Sequence, residues 1–333
     1  MRIGIAGAGL LGRLLAWRAA REGHDVTVVD PAAGPDDRIA AGFTAAGMLS
    51  PVAELECADA NVAELGWRSL ALWPQWLAQL DAPVHFAQRG SLVVAHAGDR
   101  GSADRWHARI AAQSLRHAPV PLDLAQLHDL EPAVARGLLA WHIEGEGLIH
   151  PVQAMQALQA QAPGVHWRWS SAVRHVASGR LDDERFDLAV DVRGIGAKDA
   201  LPVRGVRGEV VWLHAPGVVL NHPVRLLHPR HRVYLVPRPG DIVVVGASEI
   251  ESEDRSPVSV RSMVELLAAA HSVLPELAEA RVVHAETNLR PALPDNLPKV
   301  ESTPGLLRIN GLFRHGWLIA PALVDDAMKR ACS

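Results

Sequence analysis

Three glycines spaced G-x-G-x-x-G constrain this chain more than any other feature, because they stand between two apolar runs. In RIGIAGAGLLGRLLAWRAAREGHDVTVVD the run 3–6 reads as a buried strand and 10–22 as a helix. A second strand, 26–29, follows the break at Gly23-His24-Asp25. Such a strand–turn–helix–strand sequence is the opening unit of a Rossmann-like sheet. Gly7 permits the tight turn, Gly9 lets a pyrophosphate approach the backbone, and Gly12 lets helix and strand pack closely. Leu10 and Leu11 open the helix, whose unpaired N–H groups and positive dipole end suit a diphosphate. Asp30 lies 18 residues beyond Gly12, where a carboxylate accepts hydrogen bonds from an adenosine ribose. The pattern implies a bound dinucleotide. An acid at position 30 argues against a 2′-phosphate and so against NADP, while NAD and FAD both remain open at this point.

Bulk properties narrow the class by exclusion. At 333 residues, 49% hydrophobic and 21% charged, the chain is long and apolar enough for one large domain or two intimately joined ones. A net charge of −4 offers nothing to nucleic acid or to an anionic membrane. No apolar run approaches the ~20 residues of a membrane span. The first strand follows Met1 directly, with no room for a cleavable leader, so a cytoplasmic location is expected. Cys57 and Cys332 form no C-x-x-C, which argues against a disulfide framework or a thiolate metal site. The densest histidine cluster, His228-Pro229-Arg230-His231, is interrupted by proline and crowded by arginine, so no metal is expected.

Along the chain, a Gly/Pro/Asp-rich loop at 31–38 leads to AGFTAAGMLSP (41–51), nearly all small residues that let backbone approach a flat ligand. A Leu/Trp-rich helix is expected at 61–80, strands at 86–95 and 138–149, and mainly helix at 103–130 between them. A helix opened by Pro151 precedes strands at 165–169 and 188–192, the latter ending in a glycine-rich turn. From Val206 the texture becomes antiparallel β, with turn signals such as Pro239-Gly240-Asp241. It is interrupted by a helix at 258–273, with Ser256 as its cap and Pro257 at its first position. The tail reads as strand, glycine-rich bend and a helix beginning near Pro321. The nucleotide-binding elements thus bracket a β-rich region. The expected fold is α/β, a discontinuous Rossmann-like domain (1–82, 145–204 and 281–333) with a mixed, mostly antiparallel sheet domain (83–144 and 205–280) inserted in it.

Several motifs spread over nearly the whole chain resemble the glycine oxidase family of the D-amino-acid-oxidase fold, which includes the oxidases of thiamine biosynthesis. They are TAAGMLSP (44–51), RGVRGE (204–209), YLVPRPGDIVVVGAS (234–248), NLRP (288–291) and NGLFRHGWLIAPA (310–322). The resemblance implies FAD rather than NAD, because in that family the C-terminal glycine-rich segment returns to the isoalloxazine. It implies that Thr44, Ala45, Ala46, Gly47 and Met48 pack on the flavin, and that the Val173 backbone meets the adenine. Gly194 and Gly196 match the family's second glycine cluster, while Arg314, His315, Gly316, Trp317, Leu318 and Ile319 match the flavin-facing bend. With both cysteines outside the segment of a cysteinyl linkage, the flavin is expected to be non-covalent.

Arg290 is the leading catalytic candidate. An amino-acid oxidase must hold a carboxylate, and a guanidinium does so bidentately and stays charged. Lysine occurs three times among 33 basic residues, so arginine is the default cation and the NLRP motif singles out Arg290. Tyr234, the single tyrosine, matches the family's pocket tyrosine, whose hydroxyl helps hold the carboxylate. Arg314 matches a family arginine near the pocket, and Met48, in the loop that resembles the family's flavin loop, is a further candidate for the substrate pocket. Glu249 stands where the family pattern carries an apolar residue such as methionine. It either faces the pocket, where it would attract an ammonium, or belongs to the solvated run EIESED.

The resemblance therefore implies oxidation of glycine or a similar small amino acid. Hydride passes from Cα to flavin N5, the imine hydrolyses to a 2-oxo acid and ammonia, and dioxygen is reduced to hydrogen peroxide. It also implies a functional link to thiazole synthase and a homo-oligomer, a tetramer by family analogy. The alternatives are a sarcosine or D-amino-acid oxidase, a dehydrogenase of the same fold, or a non-catalytic flavoprotein subunit.

Overall fold

Strand Arg2–Ala6, helix Leu10–Arg21 and strand Asp25–Val29 follow one another, and the two strands pair in parallel with Ile5 opposite Val28. The computed structural model that shows this describes residues 1–56, 58–111, 113, 117–230 and 233–331. Cys57, Cys332 and His231, and the expectations attached to them, lie outside the described residues. A Cβ on Gly12 would sit 1.8 Å from the Gly7 carbonyl oxygen, so the helix can lie against the turn only without one.

A six-stranded sheet grows from this pair. Leu188–Asp191 and then Leu306–Asn310 add in parallel on one side and His166–Arg168 on the other, with Lys299–Thr303 antiparallel at the edge. A parallel sheet must be covered on both faces. Ile3, Ile5, Val26 and Val28 pack under the helices Leu10–Arg21, Pro151–Ala160 and Gly316–Ala331. On the opposite face Ala6 and Ala189 meet Val176, Leu181 and Phe186 from a small antiparallel meander.

The second sheet has eight strands, mostly antiparallel. In order they are Arg281–Ala292, Arg204–His214, Ile242–Gly246, Val233–Arg238, Val224–Leu227, Ser91–His96, Leu138–Ile143 and Val120–Leu122. Its period-two alternation separates two jobs. Val211, Leu213, Val233, Leu235, Val243 and Val245 pack with Leu266, Ala270 and Val273 of helix Val260–Val273. Val210, Val236 and Val244 point the other way, and the strand register puts Gly208, Tyr234, Gly246, Asn288 and Arg290 on that second face.

The elements depart from expectation in four places. The span 103–130 holds two helices, Arg100–Ala111 and Leu124–Leu130, because Pro119 and Pro121 prevent a continuous one. Helix Val260–Val273 is capped by Ser259, whose hydroxyl accepts from the Ser262 N–H at 3.1 Å, while Ser256 is engaged with Asp254. The last helix begins at Gly316 and carries Pro321 inside it. The carbonyl of Trp317, deprived of its helical donor by that proline, accepts instead from the Trp73 indole at 3.2 Å. Finally, strand Arg281–Ala292 pairs along the whole of Arg204–His214, so the segment from 281 enters the six-stranded sheet only at Lys299–Thr303. Among the described residues, no helix is long and apolar enough to cross a membrane.

Candidate active site

A cavity of about 460 Å³ opens between the glycine turn, the loop after residue 40 and the second face of the large sheet. Its walls gather Gly7, Gly9, Leu10, Leu11 and Asp30 with Thr44, Ala45, Ala46, Gly47 and Met48. Val173, Gly194 and Gly196 join them, as do Tyr234, Glu249, Arg290, Arg314, His315, Gly316, Trp317 and Leu318. Two residues proposed from the sequence stand outside it. Gly12 packs behind the turn against Gly7, and Ile319 is fully buried in the core on the helix side. Helical rotation explains the second case: Ile319 faces away from the cavity that Trp317 and Leu318 line.

The donor set at the glycine turn fits a dinucleotide. Helix Leu10–Arg21 has Gly9 as its N-cap, no side-chain cap and no acid in its first turn, so its first N–H groups are available to an anion. A Cβ on Gly9 would meet nothing of the protein closer than Ala40 at 3.8 Å, so the missing side chain leaves cavity space. The Asp30 carboxylate is fixed by the Ala8 N–H at 2.5 Å and the Ala32 N–H at 2.8 Å, with acceptor capacity left over. Helix Gly316–Ala331 also opens onto the cavity with no acid in its first turn. Two positive helix ends thus face one space. The small-residue loop at 41–48 is held by the Trp317 indole on the Gly42 carbonyl (2.9 Å) and by the Asn288 amide on the Thr44 hydroxyl (3.1 Å).

On the sheet floor, Arg290 and Tyr234 lie across glycines of neighbouring strands. A Cβ on Gly208 would meet the Arg290 guanidinium carbon at 2.5 Å, and one on Gly246 would meet the Tyr234 ring at 2.8 Å. One Arg290 nitrogen, Nη1, donates to the Ser248 carbonyl at 3.0 Å and to the Arg207 carbonyl at 3.4 Å. Ser248 is itself pinned, its hydroxyl donating to Glu209 at 2.8 Å. The remaining Arg290 N–H groups have no protein acceptor among the described residues, and no carboxylate pairs with this guanidinium. Burial lowers its proton affinity without removing its charge. Burial also pushes the Tyr234 hydroxyl up, against the pull of Arg290 and Arg314, so it is a neutral donor at neutral pH.

Arg314 is placed differently. Its Nη1 donates to Glu249 at 2.9 Å and its Nε lies 3.3 Å from Glu54, so two carboxylates share it. The Glu54 side chain, which the sequence reading passed over, lines the cavity and also accepts from Arg225 at 2.6 Å. Burial would raise the Glu54 carboxyl, but Arg314 and Arg225 outweigh it and hold the group well below the usual carboxylate range. His315 Nδ1 stands 3.3 Å from the same oxygen, Oε2. Glu249 faces both Arg314 and the cavity, which decides its orientation, and it keeps one side exposed to solvent.

Glu54, Gly208, Gly246 and Asn288 were the site residues missed. Gly208, Gly246 and Asn288 lie within the motifs RGVRGE, YLVPRPGDIVVVGAS and NLRP, and the fold sets Gly208 opposite Asn288 across two strands. Glu54 lies outside those motifs, and its partners Arg225, Arg314 and His315 are far away in sequence.

The sequence pattern of the family described as DAO, FAD dependent oxidoreductase, matches residues 2–325. A Rhizobium etli protein assigned to thiamine biosynthesis as the oxidoreductase ThiO is 41% identical over 99% of this chain and 96% of its own. The glycine oxidase of Geobacillus kaustophilus is 25% identical over 98% of this chain and 93% of its own. A crystal structure of glycine oxidase from that organism superposes with a TM-score of 0.82 at 24% identity, covering 99% of this chain and 94% of that one. A bifunctional protein ThiO/ThiG of Nostoc is 26% identical over 97% of this chain, which spans 52% of that longer protein.

Proposed function

The chain belongs to the family of FAD dependent oxidoreductases, and from that premise we propose that it oxidises glycine or a similarly small amino acid within thiamine biosynthesis. One observation carries the substrate class. Arg290 is a half-buried guanidinium in the cavity with open N–H groups and, among the described residues, no paired carboxylate, so a substrate carboxylate is the counter-ion it lacks. Tyr234, neutral and beside it, supplies a second donor to the same group.

Bound FAD supplies the hydride acceptor. The protein's own residues bind and orient. Arg290 and Tyr234 fix the carboxylate, which leaves Cα as the point of attack and makes positioning the chief catalytic contribution. Arg314, paired with Glu54 and Glu249, lines the same cavity. Neither Tyr234, shifted up, nor Glu54, shifted down, is tuned as a base for the amine. The amine therefore sheds its proton to solvent before reaction. Glu249 at the rim would attract a residual positive charge on the entering substrate.

The ThiO/ThiG relative supports a functional pairing with a ThiG-type thiazole synthase, and family analogy supports a homotetramer with dioxygen as acceptor. The test is direct. Purified protein carries a flavin absorption band that bleaches with glycine under anaerobic conditions and releases peroxide on aeration. A flavin-loaded protein inert to glycine, sarcosine and small D-amino acids overturns the proposal.

A further inference from the structure

Arg290 is not the only guanidinium in this region without a carboxylate. Arg238 ends the strand that carries Tyr234 and is 6% exposed. Its Nη1 donates to the Ile149 carbonyl at 2.8 Å, its Nη2 donates to the Ala46 carbonyl, and its buried Nε has no partner. Among the described residues no carboxylate pairs with it. The titratable groups coupled to it are Tyr234, His85 and His150. None offsets its charge: Tyr234 is neutral, and burial together with Arg238 lowers both histidines, His150 to about 4. An unpaired buried cation is costly, and its retention calls for a compensating anion.

The geometry shows where that anion belongs. Ala46 and Gly47 share a peptide group, so the unit whose carbonyl accepts from Arg238 presents its N–H at Gly47. Both residues line the cavity, and the Gly47 N–H has no acceptor among the described residues. A cation on the carbonyl side polarises a peptide and strengthens its N–H as a donor. Arg238 thus projects positive potential through one peptide into the space beside the flavin loop.

We infer that Arg238 is a positioning and electrostatic residue for the bound flavin: it holds the Ala46–Gly47 peptide and stabilises negative charge gained by the isoalloxazine. The inference rests on the FAD reading above and concerns the tuning of the cofactor, not the choice of substrate. A purely structural Arg238, bridging two carbonyls, would leave the flavin's electron affinity unchanged once the protein is folded and loaded.

Sulfite is the probe. Its sulfur lone pair adds to oxidised flavin, forming one S–N bond and leaving the negative charge on the ring, with no other reactant consumed. In holoenzyme, R238Q raises the sulfite Kd by about tenfold or more, and R238K, which keeps the charge, stays within about threefold of wild type. Reduction potentials measured by dye equilibration move in the same sense. H85E, which sets a carboxylate at a position electrostatically linked to Arg238 and outside its hydrogen bonds, weakens sulfite binding as well. Folded, flavin-loaded R238Q with wild-type sulfite affinity overturns the inference, as does R238K failing as badly as R238Q. Should R238Q not fold, unchanged sulfite affinity in H85E overturns it. Wild-type protein unable to take up FAD defeats the underlying reading instead, so the two failures are distinguishable.

Discussion

The guanidinium of Arg290 occupies the space that a side chain at position 208 would fill, its central carbon 2.5 Å from an ideal Cβ on Gly208. Two strands of the floor, Arg204–His214 and Arg281–Ala292, therefore place this guanidinium jointly, one by bringing the charge and the other by withholding a side chain. G208A forces Arg290 off its Ser248 carbonyl or tilts it toward the cavity. The expected result is a KM for the amino acid raised about tenfold, equivalent to about 1.4 kcal/mol. Flavin content stays at the wild-type level. Steady-state peroxide assays with absorbance-based flavin quantitation read both.

Removing the charge itself is more severe. A hydrogen-bonded charged group contributes about 1.5–3 kcal/mol, so R290M lowers kcat/KM by about 10- to 200-fold, mainly through KM. R290K recovers part of the loss, because it restores charge but not the bidentate fork. Equal kcat/KM in R290M and wild type would show that the substrate carboxylate binds elsewhere.

Glu249 makes a rim contact with Arg314 at 2.9 Å, and partly exposed pairs contribute at most about 1 kcal/mol. E249Q frees positive potential at the pocket mouth. Acetate, a carboxylate without an amine, inhibits E249Q up to about fivefold more tightly than wild type. The gain fades as ionic strength rises.

Glu146 has a different part to play. Its buried carboxyl accepts from the Val52 N–H at 2.6 Å, the Ala53 N–H at 3.2 Å and the Ser91 hydroxyl, beneath the turn that carries Glu54. Burial raises it to about 7 despite those donors. A carboxyl protonated in the folded state and ionised in the unfolded one is most stabilising below its unfolded value of about 4.3. That stability is lost as pH rises through about 7. Urea unfolding of wild type weakens between pH 5 and 8 through this group, whereas E146Q, a neutral near-isostere, shows a flatter profile. Identical pH profiles for the two proteins contradict this account.

The opening βαβ unit was legible because its signals are local: a strand, a glycine turn and a helix occupy consecutive residues and act through the backbone. The same holds for Asp30 and the small-residue loop at 44–48. Boundaries failed where long-range contacts decide. Residues 316–320 could be helical despite Pro321 because the Trp73 indole, 244 residues from Trp317, takes the carbonyl that proline leaves open. Arg281–Ala292 joined the large sheet because eleven residues of Arg204–His214 offered it a ladder.

By itself the sequence determined the dinucleotide-binding unit, the alternation of the sheet strands and the residue types able to hold a carboxylate. Tertiary structure alone decided which arginines are free to bind. Arg290, Arg314, Arg225 and Arg238 are equivalent as letters, yet Glu54, Glu56 and Glu249 pair with two of them and leave the other two without a carboxylate among the described residues. The physical reason is that a charge acts according to the partners within a few ångströms of it, and those partners are brought there by strand register and packing rather than by neighbourhood in the chain.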